Sequence, residues 1–116
     1  MKTQNYHDQL KQLMDELVHK VYDCTLHFPK DELFGVTSQL RRAALSIILN
    51  YIEGYARQRK LVMKNFLEIS YGSLKETKYL LYFSYKRGFL SKSDYDLCLP
   101  LTERIGKMLW GIIEKM

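Results

Sequence analysis

The chain has 116 residues, 47% of them hydrophobic and 27% charged, with six glycines, two prolines and a net charge of +5. These values predict one globular domain over residues 1–116, whose core needs no disulfide or metal staple, and they exclude collagen-like, linker-type and disordered chains. The longest nearly apolar run, Ala43 to Ile52, is broken by Ser46 and Asn50 and is short of the ~20 residues that span a bilayer, so no membrane association is expected. The amino-terminal stretch Met1 to Asp8 lacks the apolar segment of a secretory signal, which makes the cytoplasm the expected location.

Residues 5 to 27 place Tyr6, Leu10, Leu13, Leu17, Val21 and Cys24 at helical steps, closed by Phe28, and predict an amphipathic first helix. Pro29 and Gly35 interrupt it. A second helix is predicted from Thr37 to Arg57, with Thr37 or Ser38 as its cap. A third runs from about Val62 to Lys86 with Phe66, Ile69, Ser73, Thr77, Leu80 and Ser84 facing the core. Gly88 then supplies a left-handed cap. Ser91 to Asp94 restarts the chain into a fourth helix reaching Met116, with Leu101, Ile105, Met108 and Ile112 on one face and a kink or helix start expected near Pro100. Four helices joined by short connections predict an all-α, antiparallel up-down-up-down four-helix bundle.

The second helix is unusual in both its faces. Gln39, Arg42, Ser46, Asn50, Glu53 and Arg57 recur at steps of three and four and form one polar stripe. Nearly everything else from Leu40 to Ala56 is apolar, covering roughly 240° of the helix where a monomeric core needs little more than ~100°. Two readings follow: a central helix buried in a monomer, or a homo-oligomer interface centred on Leu45, Ile48, Ile52 and Tyr55. Gly54 costs ~1 kcal/mol relative to Ala inside a helix and predicts a close backbone approach or a bend.

Charge concentrates in the same region. Residues 36–64 hold Arg41, Arg42, Arg57, Arg59, Lys60 and Lys64 against Glu53 alone, while the rest of the chain is balanced. The stripe reads either as a solvated face with a Glu53–Arg57 pair or, repeated around an oligomer, as an anion-binding surface for RNA or DNA. An acidic protein partner is the alternative. Tyr55, beside Arg57 and Arg59, is the preferred candidate for base stacking. Tyr71, Tyr79, Tyr82 and Tyr85 read instead as packing anchors, with Lys75 and Lys78 in a charge-balanced stretch.

Phe28-Pro29-Lys30 with Asp31-Glu32, the run Leu33 to Ile47, and Glu53-Gly54-Tyr55-Ala56-Arg57 resemble the family of proteins encoded by intervening sequences within bacterial 23S rRNA genes. The likeness continues more loosely through Phe66 to Ile69, Gly72 to Thr77 and Met108-Leu109. The family pattern Ser-Ile-Pro-Ala-Asn-Ile-Ala-Glu-Gly reads here Ser46-Ile47-Ile48-Leu49-Asn50-Tyr51-Ile52-Glu53-Gly54, so Ile48 stands where a proline is expected. The resemblance implies a bacterial four-helix protein that assembles as a ring, a pentamer, with no established enzymatic activity. Similar bundles serve as nucleic-acid-engaging accessory proteins of diversity-generating retroelements.

Catalytic constellations are not evident. Glu16-Leu17-Val18-His19 supplies half of a di-iron bundle motif, but no second Glu-x-x-His accompanies it. Cys24 and His27 lack further ligands, and Cys24 and Cys98 read as reduced thiols. Neither a phosphate loop nor a nucleophile elbow is present. No cofactor, metal or small-molecule substrate is expected.

Overall fold

The computed structural model describes residues 2–116, with side chains from Gln4 onward, and contains helices α1 (Lys2–Thr25), α2 (Ser38–Tyr55), α3 (Lys60–Lys86) and α4 (Lys92–Glu114). No strand occurs among the described residues. Their contacts fix an up-down-up-down course. His7 near the start of α1 meets Tyr51 near the end of α2, whereas Thr25 at the end of α1 bonds Arg41 at the start of α2. Ser46 and Ser73 join α2 to α3, Tyr85 stacks on Tyr95 and Tyr71 meets Trp110 across α3 and α4, and the Tyr6 hydroxyl donates to the Met108 carbonyl, closing α4 onto α1.

The core is built from the periodic apolar faces. Leu10, Met14, Leu17 and Val21 from α1 meet Leu40, Ala44, Ile47 and Tyr51 from α2. On α3 the inward series is Leu67, Ser70, Leu74, Thr77, Leu81 and Ser84, so the sequence series is corrected at Phe66, which is half-buried, and at Ile69, which is exposed. On α4 the buried line is Cys98, Thr102, Ile105, Leu109 and Ile113, one position on from the expected Leu101, Met108 and Ile112, which are half-buried at its edge. At Ser70 on α3 and Thr102 on α4 a small polar residue occupies an inward position that hydrophobicity alone passes over.

These small residues draw α2 and α3 together. The Ser70 hydroxyl donates to the Ile47 carbonyl at 2.6 Å, Ser46 and Ser73 share a hydrogen bond of 2.8 Å, and Asn50 Nδ2 donates to both the Ser46 carbonyl and its hydroxyl. Gly54 completes the seam. A Cβ there would lie 3.2 Å from a Leu67 methyl, the Met63 carbonyl and the Phe66 Cβ, which is the close approach expected from the sequence.

The helix ends follow local chemistry, with one correction. Neither Thr37 nor Ser38 caps α2, because the chain enters through a 3-10 turn, Lys30–Glu32, and a widened turn, Leu33–Thr37, that leave Thr37 already helical. Glu32 accepts from the Val36 amide in their place. Ser91 caps α4 by accepting from the Asp94 amide at 3.1 Å, and α4 runs on through Pro100, so no helix starts there. At the end of α3, Gly88 has φ of +78°, with Phe89 N–H donating to Ser84 O at 2.9 Å and Gly88 N–H to Tyr85 O at 3.0 Å. This is the Schellman arrangement. Nothing crowds a Cβ at Gly88, so Gly88→Ala carries only the left-handed penalty of ~1 kcal/mol and lowers Tm by about 4 °C in a thermal melt.

Candidate functional site

The second helix carries an uncovered apolar row. Its buried face, Leu40, Ala43, Ala44, Ile47, Tyr51 and Gly54, is satisfied by α1 and α3. The opposite side presents Leu45, Leu49 and Ile52 at steps of four and three, with Leu49 54% and Ile52 50% exposed. Of the interface quartet read from the sequence, Leu45, Ile52 and Tyr55 are exposed and Ile48 is half-buried against the core. Leu49 belongs to the row and was missed. The spacing from Leu45 to Leu49 to Ile52, set against the inward Ala44, Ile47 and Tyr51, is the signal that identifies it.

The polar stripe is not one solvated face. Gln39, Arg42 and Arg57 are exposed, but Ser46 and Asn50 are turned into the α2–α3 seam, and Glu53 is half-buried in an ion pair with Arg57 one turn on. The basic residues likewise divide. Arg41 Nε donates to Thr25 Oγ1 at 2.7 Å with its guanidinium 4.9 Å from the Tyr22 ring, so Arg41 and Arg42 sit at the α1–α2 end. Arg57 stands fifteen residues beyond Arg42, ~22 Å along the helix. There Arg57 and Arg59 line a groove of about 450 Å³ with Ala56, Gln58 and Val62, and Lys60 and Lys64 follow on the first two turns of α3. Arg57 also covers the Phe66 ring at 5.0 Å.

Tyr55 departs from its expected role. Its ring packs edge-on against His7 at 4.7 Å and lies 5.0 Å from Tyr51, facing α1 and not the arginines. His7 Nδ1 and the Tyr51 hydroxyl share a hydrogen bond, and Gln4, His7, Lys11, Tyr51, Ile52, Tyr55 and Ala56 line a groove of about 380 Å³. Burial, then the nearby Lys11 cation, hold the His7 pKa below its ordinary value, with Asp8 opposing, while burial and Tyr55 raise that of Tyr51.

A depressed His7 pKa makes its contribution to stability pH-dependent. The unfolded chain binds the proton first, so the contribution is complete above about pH 6.5 and is lost as pH falls from there through the lower folded value. Urea midpoints of the wild type should therefore fall more between pH 7.5 and pH 5 than those of His7→Gln.

The remaining chemistry-bearing residues are placed apart. Glu16 and His19 face solvent, His19 lying 3.3 Å from Asp15, so the half-motif for di-iron binding points away from the bundle interior. No group of three or more metal-ligating side chains occurs among the described residues. Cys98 is buried, and burial together with Cys98 and Asp94 pushes the half-buried Cys24 thiol up to about 12. Such thiols stay protonated at neutral pH. Among the described residues no helix is long and apolar enough to cross a membrane.

The model of the 23S rRNA-intervening sequence protein family matches residues 7–111. The chain belongs to that family. A crystal structure of a protein of unknown function from the S23 ribosomal protein family of Bacteroides thetaiotaomicron VPI-5482 is similar in fold, with a TM-score of 0.82 at 22% identity over 90% of this chain and 97% of that one. A comparison with curated proteins finds no match. Membership agrees with the motif of residues 28–57 and brings no activity with it. In this member of the family α2 continues unbroken past Ile48, whose side chain packs against the core where the family pattern has proline.

Proposed function

We propose that this chain is a non-catalytic, homo-oligomeric accessory protein that assembles through α2 into a closed ring, a pentamer by the resemblance stated above, and binds RNA or DNA through the basic groups at the ends of that helix. One observation carries the reading: the uncovered row Leu45, Leu49 and Ile52 runs between cations at both ends of α2. An apolar row of this kind is an aggregation liability unless covered, and a second copy covers it with like chemistry. Cyclic repetition then multiplies the charge of Arg42 at one end and of Arg57, Arg59, Lys60 and Lys64 at the other. Each phosphate neutralised steepens the salt dependence of binding.

The test is salt-titrated binding of single- and double-stranded oligonucleotides to the wild type and to Arg59→Gln/Lys60→Gln/Lys64→Gln. Loss of three phosphate contacts flattens the log–log salt slope by about 2 to 3 units while oligomer mass and helicity are retained. Lys30→Gln/Lys92→Gln, at the same end of the bundle as Arg42 but outside the proposed binding set, is the control and should leave the slope nearly unchanged. Equal losses in both variants would assign binding to diffuse net charge. Binding of acidic polypeptides in preference to nucleic acid would favour a protein partner.

A further inference from the structure

Of the α3 tyrosines expected to be packing anchors, Tyr71 and Tyr85 do pack against the core, whereas Tyr79 and Tyr82 do not. Tyr79 is 61% exposed and Tyr82 is exposed beside it, their ring centres 6.5 Å apart. Across the groove Tyr95 from α4 completes a pocket of about 300 Å³ whose remaining wall is Lys75 and Lys78. The same two lysines line a second groove of about 240 Å³, where Tyr71 and the exposed Trp110 lie 5.3 Å apart and Lys107 adds a third cation. The two grooves thus adjoin at Lys75 and Lys78 and follow one another along the α3–α4 face as a track. Glu103, 3.6 Å from Lys78, is the one acidic residue lining it.

We infer that this α3–α4 track, with Tyr79, Tyr82 and Trp110 as stacking platforms and Lys75, Lys78 and Lys107 as phosphate partners, binds single-stranded nucleic acid. Exposed rings alternating with cations along a groove meet both needs of an unpaired strand, whose bases offer π-faces and whose backbone offers charge. A duplex hides those faces. The track is ~16 Å long on α3 from Tyr71 to Tyr82, room for about five stacked nucleotides at ~3.4 Å each. Gly106 lines the groove and lets α4 approach α3 closely at its floor, since a Cβ there would lie 3.3 Å from a Leu74 methyl. This inference does not depend on the basic residues of α2 or its turn. It rests on other side chains on another face.

Trp110 is the only tryptophan, so its emission reports on the track directly. Titration of the full-length protein with an oligothymidylate of twelve nucleotides should quench it, and an equivalent duplex should bind at least about tenfold more weakly. Tyr79→Ala/Tyr82→Ala should weaken oligothymidylate binding by at least fivefold for each ring removed, as loss of ~1–3 kcal/mol per stacked base requires. Tyr79→Phe/Tyr82→Phe keeps the rings and should bind within about twofold of the wild type, which makes the comparison independent of any folding defect in the alanine variant. Arg59→Gln/Lys60→Gln/Lys64→Gln should still show the Trp110 quench, even if its salt slope changes. Unchanged Trp110 emission, equal binding by the alanine variant, equal affinity for duplex, or equal displacement by polyglutamate would each overturn the inference. A change of oligomer mass in the alanine variant would also overturn it by assigning the rings to subunit packing.

Discussion

Leu49→Asp/Ile52→Asp should retain the helical circular dichroism of the wild type and run in light scattering at the mass of a single chain, whereas the wild type at micromolar concentration should run as a multiple of it. Both side chains are about half exposed in the subunit, so aspartate at either position reaches water and the core loses little. In the assembly the same carboxylates would be buried without partners. That penalty, added to the ~1.5–3 kcal/mol of lost burial per side chain and repeated at every interface, exceeds what an ordinary subunit contact withstands. Ile47→Asp is the contrasting variant, since Ile47 is fully buried and its replacement should unfold the chain. A wild type that is monomeric at these concentrations would defeat the assembly reading and leave the fold untouched.

Gly54→Ala should destabilise the protein, although helix propensity alone predicts the reverse. Ala is better than Gly inside a helix by ~1 kcal/mol. Against this stand three contacts of 3.2 Å, two of them to the Met63 carbonyl and the Phe66 Cβ, which cannot move without carrying α3 with them. Overpacking of this kind costs ~1–3 kcal/mol, so the net change is a loss of up to ~2 kcal/mol. Gly54→Val adds two methyl groups to the same gap and should lose more. A chemical denaturation series decides between the effects by sign: a more stable Gly54→Ala would mean that the seam has slack.

The sequence reveals the helices and much of their packing because hydrophobic periodicity is local. Leu10, Leu13, Leu17 and Val21 could be placed inward by spacing alone, as could the turn at Gly88. Ser73 was placed inward by spacing, but the rest of the α2–α3 seam was less legible because Ser46 and Ser70 turn inward through hydrogen bonds to a partner helix that no local window contains. For the same reason the polar stripe looked continuous: a helical wheel cannot separate a serine that faces water from one that faces another helix. The basic cluster was compact in sequence and divides in space, since Arg42 and Arg57 stand at opposite ends of a rigid rod. The aromatic track was illegible for the complementary reason. Tyr79 and Tyr82 come from α3 but Tyr95 and Trp110 from α4, and only the antiparallel pairing of those helices brings Lys75, Lys78 and Lys107 among them.

The serine and glycine seam also bears on the order in which the molecule opens. Hydrogen bonds at Ser46 and Ser70, with the close contact at Gly54, tie α2 to α3 from their middles to the turn that joins them. Contacts between chain neighbours close small loops and form early in folding, whereas docking α1 against α4 closes a loop nearly as long as the chain. In native-state hydrogen exchange, the amides of α2 and α3 should therefore be the last to open, protected together as one cooperative unit, with the α1–α4 contact released first. The uncovered row of α2 would then survive in partly unfolded molecules, where it remains available to a neighbouring copy before the rest of the bundle has closed.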